Sequence, residues 1–87
     1  MTVVEQMQHK LAALGPESLE ILDESGKHVG YVGASAGGGH FQLVIVSTQF
    51  SGKPVQQRHR MVYDALGSLM KKEIHALAIK AYAPGEI

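Results

Sequence analysis

Apolar residues recur at Val4, Met7, Leu11 and Leu14, the three- and four-residue steps of one helix face. Thr2 and Glu5 stand three apart at the front of this run, as a capping box requires, and Gly15 followed by Pro16 closes it. The period then changes. In SLEILDES (residues 18–25), Leu19 and Ile21 share one side of an extended strand before Asp23, Glu24 and Ser25 turn polar. Residues 26–40 form a long loop of glycine and small side chains. FQLVIVS (41–47) follows, apolar on both faces except at Gln42, which is the composition of a central strand. Helical spacing returns after Pro54, a residue suited to a first helical turn, at Val55, Val62, Leu66 and Leu69. Gly67 leaves two readings, one helix running on to Glu73 or a bend into a second short helix, the latter giving a helix-turn-helix outline. IHALAIKAY (74–82) alternates Leu77, Ile79 and Ala81 against Ala76, Ala78 and Lys80, a strand period. The tail APGEI is too short for another stable element.

Helix, strand, strand, helix, helix, strand is an α+β order with few sensible layouts. The first two strands pair antiparallel, and the third returns through the helices by a right-handed crossover to lie parallel to the second. The expected architecture is a three-stranded mixed sheet covered by helices on one face. Parallel neighbours begin at the same end of a sheet. His40, just before the second strand, and His75, at the start of the third, are therefore expected on one edge, with His28 of the loop within reach. His9 and His59 fall on helices and have no such reason to join them.

At 87 residues and 45% hydrophobic side chains, the chain is read as one domain spanning 1–87 with one small core, so function is expected on a surface or at an interface. Eight basic and eight acidic residues cancel, which removes any global attraction to a polyanion. The N-terminal MTVVEQMQHKL carries no secretory apolar region, and no run approaches a membrane span. A soluble protein of a reducing, cytoplasmic compartment is expected. Ser25, Ser47 and Ser51 have no nucleophile elbow around them, and Asp23 and Glu24, being strand neighbours, face opposite sides. Enzymatic activity is therefore not expected.

The chain has no cysteine, which excludes disulfides and a self-sufficient thiolate metal site. His28, His40 and His75 remain as candidate ligands, since neutral imidazole binds iron, zinc and copper. The alternative for each is structural: His40 hydrogen-bonding the loop backbone, His75 satisfied by a carbonyl at the strand end. If they do bind metal, the site is incomplete and needs another molecule. A second cluster, Lys53, Arg58 and Arg60 around the helix start in SGKPVQQRHRM, has the charge to contact phosphate. Against it, Arg58 and Arg60 are two apart and do not share a helix face. The alternative is that one arginine braces the fold through a carboxylate or a strand carbonyl and His59 packs against the sheet. The glycine-rich loop has no phosphate-cradle motif.

DESGKH, HFQLVIVSTQFSGKP, QRHRMVYDAL and IHALAIKAY, in this order from about Leu11 to Pro84, resemble the BolA-like family. The resemblance implies an αββααβ domain similar to class II KH folds. It also implies action with a monothiol glutaredoxin, in which the partner and glutathione supply thiolates to a bridging [2Fe-2S] cluster. The BolA-like chain then supplies the remaining ligands: His75 of IHAL, and a loop residue, here His28 of ESGKH, with His40 as the other choice. Members often carry a second histidine where Tyr31 stands, and some use cysteine in the loop. Alone, such a chain is expected to be a monomer or a weak homodimer. The family also suggests transcriptional regulation through DNA, with Lys53, Arg58 and Arg60 as the contacts, although the usual GXXG loop of KH domains is missing.

Overall fold

The computed structural model describes residues 1–25 and 39–87. Helix α1 spans Val3–Leu11 and starts as its sequence predicts: the Thr2 hydroxyl accepts from the Glu5 amide, and the Glu5 carboxylate accepts from the Thr2 amide. Those hydrogen bonds, the one from the Thr2 amide first, hold the Glu5 carboxyl below its ordinary range. A short 3-10 turn, Ala12–Leu14, ends at Gly15, whose φ of 58° is the left-handed conformation that a Cβ would strain.

Strand β1 (Ser18–Asp23) pairs antiparallel with β2 (Gly39–Val46), and β2 pairs parallel with β3 (Ile74–Tyr82), giving the order β1-β2-β3. Helix α2 spans Val55–Leu66. Of the two readings at Gly67 the chain takes the break: α2 stops at Leu66 and residues Gly67–Lys71 form a 3-10 helix, so the second helix of the outline is a tighter five-residue turn rather than an α-helix. Met7 and Leu11 of α1, Val62 and Leu66 of α2, Leu69, and Phe41, Leu43 and Ile45 of β2 bury against one another on one sheet face. Full burial of each such side chain contributes about 1.5–3 kcal/mol. Gln42, Ala76, Ala78 and Lys80 stand exposed on the opposite face. Ser47, buried just past β2, donates its hydroxyl to the Leu14 carbonyl at 2.6 Å and accepts from the Gln49 amide, tying α1's end to the sheet.

Arg58 lies inside this packing, with 10% of its side chain exposed. Its Nε donates to the Lys53 carbonyl at 2.8 Å and its Nη1 to the Ala81 carbonyl at 3.1 Å. Both Nη atoms also bond the Glu86 carboxylate, at 2.5 and 2.9 Å, and Glu86 Oε1 accepts from the Ala83 amide as well. The arginine thus braces the fold through a carboxylate and a strand carbonyl together, and the tail that follows β3 is held by it. The Arg58 hydrogen bond, with the Ala83 amide second, pulls the Glu86 carboxyl from 4.5 down to about 2. A folded-state value below the unfolded one stabilises the fold above pH 4.5, and that contribution is lost as pH falls toward 2. Acid titration of the thermal midpoint is expected to fall more steeply across this window in the native chain than in Glu86→Gln. Parallel curves would remove Glu86 as the linked group.

Candidate functional site

β2 and β3 start at the same end of the sheet, where the Gly39 amide donates to the Glu73 carbonyl at 2.9 Å. Gly39 is opposite Ile74, yet His40 is opposite Ala76, so His75 is an extra residue in the ladder. This β-bulge changes which side chains face the core. Ile74 is 2% exposed in the core, and Leu77, three residues on, also packs against it; unbroken strand alternation would put them on opposite faces. The bulge leaves His75 exposed, with its ring centroid 5.1 Å from that of the half-buried His40 and the two planes tilted by 43°.

The DES segment at the end of β1 holds the His40 backbone in place. Its carbonyl accepts from the Glu24 amide at 2.8 Å, and its amide donates to Ser25 Oγ at 3.1 Å. The Ser25 amide in turn donates to Asp23 Oδ1, and hydrogen bonds from Ser25 lower the Asp23 carboxyl from its ordinary value. Gln42 Nε2 reaches Glu24 Oε1 at 2.6 Å across the strand pair. Glu24, Gln42, Ala76 and Ala78 line a shallow depression of about 320 Å³ beside His40. Gly39 is required by this close packing. A Cβ there would run into the Phe41 ring, 2.7 Å from its Cζ, and stand 3.0 Å from Ser25 Oγ. Gly39→Ala is expected to cost about 1–3 kcal/mol, the usual range for overpacking, and to move the Phe41–His40 segment. Denaturant midpoints and the His40 imidazole NMR signals check this; unchanged values for both refute it.

His75 and His40 are therefore brought together, while His28 lies outside the described residues, as does Tyr31. His9 is exposed on α1 and His59 half-buried on α2. Of the basic trio, Arg58 is committed internally and unavailable to phosphate, and Lys53 Nζ donates to the Gln49 carbonyl at 2.8 Å. Arg60 is exposed. No sequence pattern marks the bulge at His75, and nothing in APGEI shows that Glu86 meets Arg58. The grip of Glu24 and Ser25 on His40 had a signal in the polar DES run at a strand end, where short polar side chains bond local backbone.

Two imidazoles on one tetrahedral metal, with nitrogen about 2.1 Å away, place their ring centres roughly 5.2 Å apart. The 5.1 Å observed between His40 and His75 agrees with that spacing. Among the described residues, no three His, Asp or Glu side chains gather as a metal site. The same spacing is that of an ordinary tilted ring contact, so the pair offers two imidazoles side by side with no metal geometry of its own.

A family model described as BolA-like protein matches residues 11–86. The mouse protein named BolA-like protein 1 is 42% identical over 74 residues, which cover 85% of this chain and 52% of that protein. The chain thus spans about half the length of that relative. The Escherichia coli protein named DNA-binding transcriptional regulator BolA is 39% identical over 83 residues, covering 94% of this chain and 76% of that one. Among solved structures, BolA1 from Arabidopsis thaliana superposes with a TM-score of 0.83 at 33% identity, covering 100% of this chain and 98% of that one.

Proposed function

The chain belongs to the BolA-like family, and from that premise we propose that it is a non-enzymatic partner of a monothiol glutaredoxin, co-ligating a bridging [2Fe-2S] cluster. The role would be cluster trafficking or iron and redox regulation. The single observation that carries this reading is the contact of the His40 and His75 rings on an exposed rim of a chain without cysteine. His75 is the first ligand. The second is His28, from the segment joining β1 to β2, or His40 near the start of β2, whose ring already meets that of His75. The glutaredoxin and glutathione supply thiolates. Imidazole in place of thiolate leaves less negative charge at one iron and raises the cluster's potential.

The residues of this chain do the positioning. The bulge turns His75 outward, and Ser25 and Glu24 fix the backbone on which His40 stands. Ligation needs the neutral ring, so acidification loosens the complex. Mixing this protein with a monothiol glutaredoxin, iron, sulfide and glutathione under anaerobic conditions is expected to change the visible absorption and circular dichroism of the glutaredoxin's own cluster. Spectra that stay those of the glutaredoxin alone sink the proposal.

The competing reading, DNA binding, takes its support from the name of the E. coli relative. On this chain Arg58 is enclosed and the net charge is zero. A salt titration against duplex DNA is expected to give weak binding with a shallow slope. A slope of several units, at about −0.9 per phosphate contact, that falls on Arg60→Ala would favour DNA instead.

A further inference from the structure

β3 forms one edge of the sheet, and its main-chain groups sort by side. The Ser47 amide bonds the Tyr82 carbonyl, so in the parallel ladder the groups of Ala76, Ala78, Lys80 and Tyr82 turn toward β2. Those of Leu77, Ile79 and Ala81 turn outward. Past Ile79 the edge is closed by side chains, since Arg58 takes the Ala81 carbonyl and Glu86 takes the Ala83 amide. Before Leu77 the bulge at His75 breaks the strand's regular alternation. The amides and carbonyls of Leu77 and Ile79 have no partner among the described residues; the Ala81 amide also turns outward, but beside the Arg58 clamp. Four strong hydrogen-bonding groups are thus presented in a row at an edge.

We propose that this three-residue window is a self-association site, at which β3 of a second copy of the chain pairs antiparallel about a twofold axis through Ala78. The register is self-complementary. Leu77 falls opposite Ile79 of the second copy and Ile79 opposite its Leu77, so the open groups of one copy meet those of the other in four hydrogen bonds. On the helix side, the half-buried Leu77 and Ile79 cover each other as cross-strand apolar pairs. On the open side, Ala78 meets Ala78, the least bulky contact available there, and each Lys80 falls opposite an exposed Ala76, so no like charges oppose. Each copy's bulge lies opposite the other's Arg58–Glu86 clamp, which limits the pairing to this window and keeps the dimer weak. The two His40–His75 rims end up at opposite ends of the joined edge, both open.

The absence of native cysteine makes the test specific. Ala78→Cys places thiols across the axis in a non-hydrogen-bonded pair, with Cα atoms about 4.5 Å apart, within disulfide reach. Lys80→Cys places them roughly 14 Å apart, out of reach. Under mild oxidation, without iron or glutaredoxin, Ala78→Cys is expected to form covalent dimer at least tenfold faster than Lys80→Cys. The native chain's sedimentation mass should rise from 9.4 kDa toward twice that with concentration. Ala78→Lys, at an exposed position, should stay folded and monomeric. Equal cross-linking rates, a native chain monomeric at every concentration, or self-association unchanged by Ala78→Lys each overturn the proposal. So does protection of the Leu77 and Ile79 amides that appears only with a glutaredoxin, which would assign the edge to that protein. Because the cluster plays no part in these measurements, their failure leaves the proposed function standing, and the reverse also holds.

Discussion

His75→Ala is expected to abolish the cluster shared in the proposed complex. The mixed sample is expected to revert to the spectrum of the glutaredoxin alone, with cluster retention down by more than roughly tenfold. Removing even a group that only supports a ligand costs about 10–100-fold in metal affinity, and a ligand itself should cost more. The substitution should leave the fold intact. His75 is an exposed bulge residue whose side chain makes no hydrogen bond to another described residue, so the variant's stability should stay close to native, within about 0.5 kcal/mol. A folded His75→Ala chain that still changes the glutaredoxin's dichroism as the native chain does would end the case for histidine ligation. His40→Ala and His28→Ala, run beside it, identify the second imidazole by the larger loss.

Phe50→Ala is expected to be the most damaging single truncation in the core. Phe50 is 0% exposed and is the largest fully buried side chain among the described residues. It sits on the 3-10 turn Thr48–Phe50 that carries the chain from β2 to α2. Truncating a buried phenylalanine costs about 3–5 kcal/mol. A domain of this size has only about 5–15 kcal/mol in total, so a large part of the stability would go. Chemical denaturation should show the midpoint falling with an unchanged slope. A loss under about 1 kcal/mol would mean that the turn repacks around the gap.

How far the sequence carries can be seen in particular residues. Thr2 and Glu5 announced the start of α1 because a capping box is local: both hydrogen bonds close within one turn. The same holds for Gly15 at its end. The alternation in ALAIKAY was legible as a strand from Ala76 onward, and the crossover rule gave the parallel pairing of β2 and β3. Phe50 went unread as core, since one aromatic between Gln49 and Ser51 has no period to reveal it. Arg58 was legible only as a choice between phosphate and brace. Its partners, Ala81 and Glu86, are 23 and 28 residues away, and no local pattern points to them. The same distance hid the plugging of the β3 edge.

The amino-acid sequence by itself determined the order of elements, the shared end of the sheet at which His40 and His75 arrive, and the lack of any thiolate to complete a metal site. These follow from short-range periodicity, chain connectivity and composition. Only the tertiary structure decided that the two rings meet. Strand alternation alone would send His75 to the face that carries Leu77, and it is the one-residue bulge, set by Ile74 and Leu77 both entering the core, that turns His75 to His40. A register shift of one residue is settled by packing between distant segments, and that packing has no period along the chain.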